Sequence, residues 1–338
     1  MRTAHTVEQV RAAERALMST LPEGALMQRA AAGLATACAA LLGSTYGARA
    51  LVLVGPGDNG GDALYAGARL ARRGAAVEVL TLAEQVHPEG LAALRRAGGR
   101  VAARGVGHPD MVIDGIVGIG GRPGLRDQVA EVVAQIDAPV VAVDVPSGVG
   151  VDSGDLAGPC VHADVTVTFG THKVGLLVDP AAETAGAVEL VDIGLAPHLG
   201  TPAVEMLQAP DVRALLPRPG HDAHKYSRGV VGVRAGSPGY TGAGLLVSSA
   251  AVRAGFAGMV RYDGASADLV RARLPEVVIG GGRVQAWVVG SGLGDQVGGL
   301  VGDVLAQGLP TVVDADGLRS LPLRCEGPVV LTPHAGEL

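Results

Sequence analysis

Ala50-Leu51-Val52-Leu53-Val54 runs without a polar break into Gly55-Pro56-Gly57-Asp58-Asn59-Gly60-Gly61-Asp62, and a stretch of helical periodicity runs from about Gly61 to Arg73. A wholly apolar run of this length suits a strand covered on both faces. Glycines then permit a tight turn and a helix begins, which is the opening of a βαβ unit and so of a parallel sheet. Outward from this point the pattern repeats. Two helices are expected upstream, at 6–18 and 25–42. Downstream come AVEVL (76–80), a helix near 88–97, MVID (111–114), a helix at 125–136, VVAVD (140–144), DVTVTF (164–169) and AVELVDI (187–193). Ala196-Pro197-His198-Leu199-Gly200-Thr201-Pro202 then interrupts the chain as an interdomain break does, and the alternation restarts with GVVGV (229–233). The remaining segments are a helix at 241–255, MVRY, WVVG, a helix at 295–306, TVVDAD and PVVL. The fold class expected is α/β: a Rossmann-like three-layer αβα domain over 1–205, then an incomplete ribokinase-like α/β domain over 206–338.

Composition agrees and excludes alternatives. The 338 residues contain 52 glycines but only 2% aromatics, with 48% apolar and 18% charged residues. No heptad seam or glycine triplet repeat supports a fibrous fold, and too few rings are present for a base-stacking platform. A net charge of −6 without a basic stripe opposes polyanion binding, so no nucleic-acid partner is expected. The longest apolar stretch, 30–43, falls short of the roughly 18 residues of a membrane span and reads as a buried helix. Arg2, His5, Glu8, Arg11, Glu14 and Arg15 do not suit a signal peptide. Cys38, Cys160 and Cys325 are odd in number and far apart. A cytoplasmic protein with reduced thiols and no membrane partner is expected, with homo-oligomerisation left open.

Gly55, Gly57 and Gly60 fit the G-x-G-x-x-G spacing of a dinucleotide-dependent dehydrogenase, with Glu78 as ribose acid. Asp58 and Asp62 would repel a pyrophosphate held there, and no Walker lysine follows. Two other strand ends supply partners for this turn. MVID ends in Asp114 and continues as a glycine loop, Gly115 to Gly124, holding Arg122. VVAVD ends in Asp144 and continues to Ser147. A single aspartate at a strand end is commonly a helix cap. Three such ends bring Asn59, Asp62, Asp114, Asp144 and Ser147 to one crevice. In the second half, His221 and His224 lack a third ligand at zinc-site spacing, while Ala235 to Ala243 forms another glycine-rich strand-to-helix turn.

GPGDNGGD, DGIVGIGGRPG, DVPSG and TFGTHKVGL, in that order, resemble the N-terminal epimerase domain of the NAD(P)H-hydrate repair proteins over roughly residues 1–205. HKYSRG, AGSPGYTGA, GSGLG, DADGL and TPHAGE resemble their C-terminal ADP-dependent dehydratase domain. Departures are Asp58 for an Asn, Ile119 for a Thr and Ser291 for a Pro. The resemblance implies hydrated nicotinamide coenzymes as substrates and interconversion of their two epimers in the first domain. It implies coenzyme contacts from Asp58, Asn59, Gly60, Gly61 and Asp62, from Gly118, Ile119, Gly120, Gly121, Arg122, Pro123 and Gly124, and from Asp144. It also implies a potassium ion on Asn59, Asp114 and Ser147, hard oxygen donors that suit such a cation. Asp144 and Lys173 are the candidates for proton transfer, and Arg122 for an anion contact. In the second domain Ala243, Gly294 and His334 would touch the coenzyme, with ADP and Mg²⁺ as partners of the reaction. The family's Gly-Ser-Gly-Asp phosphate-site segment is not found, so the expectation is a C-terminally truncated chain whose dehydratase activity is lost. The competing expectations are a non-catalytic nucleotide-binding or interaction scaffold and, more distantly, a small-molecule kinase.

Overall fold

The computed structural model, which describes residues 1–102, 106–216 and 218–338, begins with a short strand, β1 (Arg2–His5), and two helices, α1 (Val7–Met18) and α2 (Ala25–Leu42). The Thr6 hydroxyl accepts from the Gln9 N–H at 3.3 Å, and the Gln9 side chain accepts from the Thr6 N–H at 2.9 Å, a reciprocal cap that fixes where α1 starts. Then come β2 (Arg49–Val54), α3 (Asp58–Arg72), β3 (Ala76–Thr81), α4 (Pro88–Arg96), β4 (Arg100–Val101), β5 (Met111–Gly115), α5 (Asp127–Val133), β6 (Val140–Val143) and β7 (Val165–Phe169). The sequence continues through β8 (His172–Lys173), β9 (Ala187–Val191) and β10 (Val204–Met206).

Seven of these strands form one parallel sheet in the order β4-β3-β2-β5-β6-β7-β9. Alternate side chains point to opposite faces. Val52, Val54, Val77 and Val79 pack under α2, α3 and α4, while Leu51, Leu53 and Val112 pack with Val129 of α5. This is the expected three-layer arrangement. The order reverses between β2 and β5, and loops leaving two such strands part in opposite directions to open a crevice at their carboxyl ends. Helix α2 has the length and apolarity to cross a membrane, but Leu26, Ala30, Leu34 and Cys38 sit in this core.

The short strands escape the sequence pattern. β1 pairs with β8 in parallel and with β10 antiparallel, forming a three-stranded sheet of segments too brief to show periodicity. The chain divides into Met1–Asp211 and Val212–Leu338. The expected break at 205 falls inside β10, whose pairing with β1 keeps that strand in the first unit.

A short helix, α6 (Ala209–Leu215), spans the division. The second unit contains β11 (Val230–Arg234), α7 (Thr241–Arg253), β12 (Met259–Tyr262), α8 (Ala267–Arg273), β13 (Val278–Ile279), β14 (Ala286–Val289), α9 (Val297–Leu305), β15 (Thr311–Val313) and β16 (Val329–Leu331). Its parallel sheet runs β13-β12-β11-β14-β15-β16, reversing between β11 and β14. Gly232 is required on the central strand, because a Cβ there would stand 2.4 Å from the Trp287 ring.

Candidate active site

Helix α3 begins at Asp58, three residues earlier than the expected start at Gly61. Gly57, at φ +88°, turns the chain left-handedly out of β2, and Asp58, Asn59 and Gly60 form the first helical turn. The loop after β5 lies close against this turn. A Cβ on Gly55 would meet the Ile116 carbonyl oxygen at 1.8 Å, and one on Gly118 would meet Asn59 Oδ1 at 2.7 Å. Glycine at these two positions is what lets the loops approach.

Asp114, fully buried at the end of β5, is held by both neighbouring loops. Its carboxylate accepts from the Ser147 hydroxyl at 2.6 Å, the Ser147 N–H at 2.9 Å and the Ile116 N–H at 3.2 Å. Burial pushes its pKa up to about 6, against the lowering effect of the Ser147 and Ile116 hydrogen bonds. The Ser147 hydroxyl accepts from Val117 N–H at 3.0 Å and lies 3.1 Å from the Val117 carbonyl oxygen. Asn59 Nδ2 is buried with no hydrogen-bond partner. Turning that amide over presents its oxygen to the same spot. The Asp114 carboxylate, the Ser147 hydroxyl and the Val117 carbonyl meet through hydrogen bonds, Asn59 stands against Gly118 of the same loop, and oxygen donors of this hard kind suit a potassium ion.

Asp144 follows β6 in the left-handed region at φ +67°, where the Val145 N–H donates to Val143 O at 2.8 Å across it. A non-glycine residue held there stores strain. Lys173 anchors it. The ammonium, 1% exposed, pairs with Asp144 Oδ1 and donates to Thr168 Oγ1 at 3.1 Å and Phe169 O at 3.0 Å, so all three of its protons are placed. Asp144 Oδ1 also accepts from the Thr168 hydroxyl at 3.0 Å and the Phe169 N–H at 3.3 Å. Its carboxylate borders the crevice; Lys173 stands behind it, outside the lining.

The crevice is a cavity of about 440 Å³ lined by Asp58, Asn59, Asp62, Val117, Gly118, Ile119, Gly120, Asp144 and Phe169, with Arg11, Glu14, Arg15 and Met18 of α1. A second cavity of about 530 Å³ shares Glu14, Met18, Asp58, Asp62 and Phe169 and continues along the apolar Leu21, Leu26, Met27 and Ile193. Of the residues expected to contact the coenzyme, Gly60 and Gly61 are buried in the first turn of α3. Gly121, Arg122, Pro123 and Gly124 lie outside both linings, with Arg122 exposed. The residues missed are those of α1. Their spacing at 11, 14, 15 and 18 puts them on one helix face, a signal that was legible but pointed only to a surface. Asp62 is held well above the usual carboxylate range by burial and by the charges of Asp144, Asp58 and Glu14. Glu14 is raised for the same two reasons, burial first and then Asp144. The cavity thus gathers two carboxyl groups whose hold on a proton is strengthened.

In the second unit, Ala243 and Gly294 border the turn after β11. Gly292 would bring a Cβ within 2.6 Å of Ala243 Cβ, and the Gly294 N–H donates to Asp316 Oδ2 at 3.0 Å. Asp314 accepts from the Ser291 and Thr332 hydroxyls, each at 2.7 Å. Burial raises its pKa, but these two hydroxyls, the Ala315 N–H and the His334 charge together outweigh it and leave it lowered. His334, two residues beyond Thr332, is exposed and folds back on Glu337 at 3.3 Å. His221 is more exposed still and pairs with Asp222.

The YjeF-related protein N-terminus family matches residues 23–175, and the NAD(P)H-hydrate dehydratase family matches residues 231–338. The bifunctional NAD(P)H-hydrate repair enzyme Nnr of Mycobacterium tuberculosis is 47% identical over 358 residues, covering all of this chain and 74% of that protein. The NAD(P)H-hydrate epimerase of Microbacterium testaceum is 43% identical over 228 residues, 64% of this chain and 88% of its own. A solved ADP/ATP-dependent NAD(P)H-hydrate dehydratase from Bacillus subtilis, co-crystallized with ATP/Mg²⁺, is 31% identical with a TM-score of 0.35, over 38% of this chain and 52% of that one. The expectation that the dehydratase half is lost is therefore not borne out, and truncation is not what these matches show. Dehydratase similarity runs through residue 338, and the alignment to the Mycobacterium tuberculosis protein takes in the whole chain.

Proposed function

Because the chain belongs to the bifunctional NAD(P)H-hydrate repair enzyme family, we propose that its first unit interconverts the R and S epimers of NADH or NADPH hydrated at ring carbon six. The observation that carries this reading is the Asp144 carboxylate, strained, anchored from behind by Lys173 and open to the cavity at the sheet's switch point. In the reaction the ring nitrogen lone pair expels the hydroxyl once that oxygen has received a proton, and a planar iminium forms. Water then attacks either face and gives a proton back. Asp144 is the group positioned to hold and move that proton, a role worth about 10²-fold or more. Lys173 orients Asp144 and keeps its carboxylate compensated, a positioning role in place of the direct proton transfer expected of it. Asp58, Asp62 and the Gly118–Gly120 segment bind and exclude water.

Asn59, Asp114, Ser147 and the Val117 carbonyl would hold the potassium ion. When bound, it would supply a fixed positive charge among these carboxylates and tie the loops after β2, β5 and β6 together. For the second unit we propose the family's nucleotide-dependent dehydration of the S epimer, with the coenzyme at the turn after β11. Among the described residues no group of three or more His, Cys, Asp or Glu side chains could hold a metal, so Mg²⁺ belongs with the nucleotide phosphates it accompanies.

The test supplies purified R epimer and follows its conversion to S by chromatography, with potassium or with sodium alone. Wild type is expected to convert it faster in potassium, and Asp144→Asn to lose at least about 10²-fold. Binding without conversion would support the scaffold reading instead. ADP, Mg²⁺ and the S epimer should regenerate the absorbance of reduced coenzyme; its failure to appear would remove the second assignment.

A further inference from the structure

We propose that Glu14 of α1 is a second catalytic carboxyl of the epimerisation, handling the proton on the ring face opposite Asp144. This rests on the epimerase reading above. Interconversion breaks a C–O bond on one face of the ring and forms another on the opposite face. The departing hydroxyl takes a proton and leaves as water, the nitrogen lone pair closes the C=N bond, and incoming water returns a proton as the lone pair goes back to nitrogen. No oxidant or reductant enters. A single carboxyl reaches one face, so inversion calls for two proton carriers on different walls, one protonated and one free, which exchange roles in the reverse direction.

Asp144 projects from the end of β6. On the same side Asp58 and Asp62 come from the start of α3, Val117 and Gly118 from the loop after β5, and Phe169 from the end of β7. The remaining wall of the 440 Å³ cavity is α1, and Glu14 is the carboxylate it contributes. Glu14 borders both cavities, so it stands where they join. It is half-buried and, like Asp58 and Asp62 across the cavity, has no hydrogen-bond or ion-pair partner among the described residues, whereas the Asp114 carboxylate is spent on Ser147 and Ile116. Burial and the Asp144 charge raise its pKa, as a proton carrier requires. It lies outside the stretch 23–175 that the family model matches.

The experiment uses the full chain, no nucleotide, and each purified epimer in ¹⁸O-water, reading both interconversion and label uptake at the hydroxyl. Glu14→Gln is expected to slow interconversion about 10²-fold or more. It should still take up label in the one epimer whose hydroxyl faces Asp144, since water can leave and return on that face. Asp144→Asn should show the mirror result, with label entering only the other epimer. Equal loss of label uptake in both epimers in Glu14→Gln, or interconversion at the wild-type rate, overturns the assignment. If Glu14→Gln does not fold, Glu14→Asp keeps the acid on a shorter arm. It should preserve uptake in the Asp144-facing epimer while interconversion falls, and equal uptake in both would again refute the role. A wild type that fails to interconvert the epimers removes the epimerase reading itself, and this assignment with it.

Discussion

Replacing Asp114 by Asn should change how stability responds to pH. The buried carboxyl titrates at about 6 in the fold against 3.8 when exposed. Between those values the folded chain holds a proton that the unfolded chain has released, so unfolding releases it and stability falls as pH rises. The shift amounts to about 3 kcal/mol in full, of which about 2 kcal/mol is spent between pH 4 and pH 7. Asn cannot titrate. The stability of Asp114→Asn relative to wild type should therefore improve by about 2 kcal/mol over that range, even though the substitution leaves the Ile116 N–H facing an amide and costs about 1–3 kcal/mol throughout. Urea unfolding followed by far-UV circular dichroism, in potassium-free buffer, measures the difference, and the second unit contributes equally to both proteins. A difference that stays flat from pH 4 to pH 7 would refute the claim that Asp114 is buried without a compensating cation. Potassium added to the wild type should flatten its own slope, because a cation on Asn59, Asp114 and Ser147 favours the ionised form.

Lys173→Met removes the cation from a buried pair and leaves Asp144 to Thr168 and Phe169 alone; the first unit should lose about 3 kcal/mol in the same unfolding assay, and an effect below about 1 kcal/mol would contradict the anchoring role. Gly118→Ala puts a methyl 2.7 Å from Asn59 Oδ1 and forces that amide aside. Its potassium activation curve should shift to about tenfold higher concentration, and an unshifted curve would separate Asn59 from the cation. Tyr262→Phe deletes a buried hydroxyl that donates to Ala235 O at 2.7 Å and accepts from Ser266 N–H at 3.0 Å. About 2 kcal/mol should be lost from the second unit, read by the fluorescence of Trp287, the only tryptophan and part of the same sheet.

The two parallel sheets were legible in the chain because strands buried on both faces are apolar along their length, and ALVLV, MVI and VVAV satisfy that without context. The crevice was legible too. Glycine is forced where Gly55 and Gly118 let two loops touch, so the turns carrying Asn59, Asp114 and Ser147 announce themselves in the text. What the linear order left open was set by side-chain direction and by pairing between remote segments. Lys173 reads as a free proton carrier until the pairing of distant strands sets Thr168 and Phe169 of β7 and the Asp144 carboxylate after β6 around its ammonium. Arg122 belongs to the glycine loop in sequence yet points away from the cavity, and Glu14, on a helix no motif flags, points in. β1, β8 and β10 have two to four residues each, too few for periodicity, and exist only because their hydrogen bonds are satisfied across about 170 to 200 residues of chain. Burial pattern is a local property and is written residue by residue. Which polar groups meet depends on how the packed layers bring distant segments together, and no local stretch encodes that.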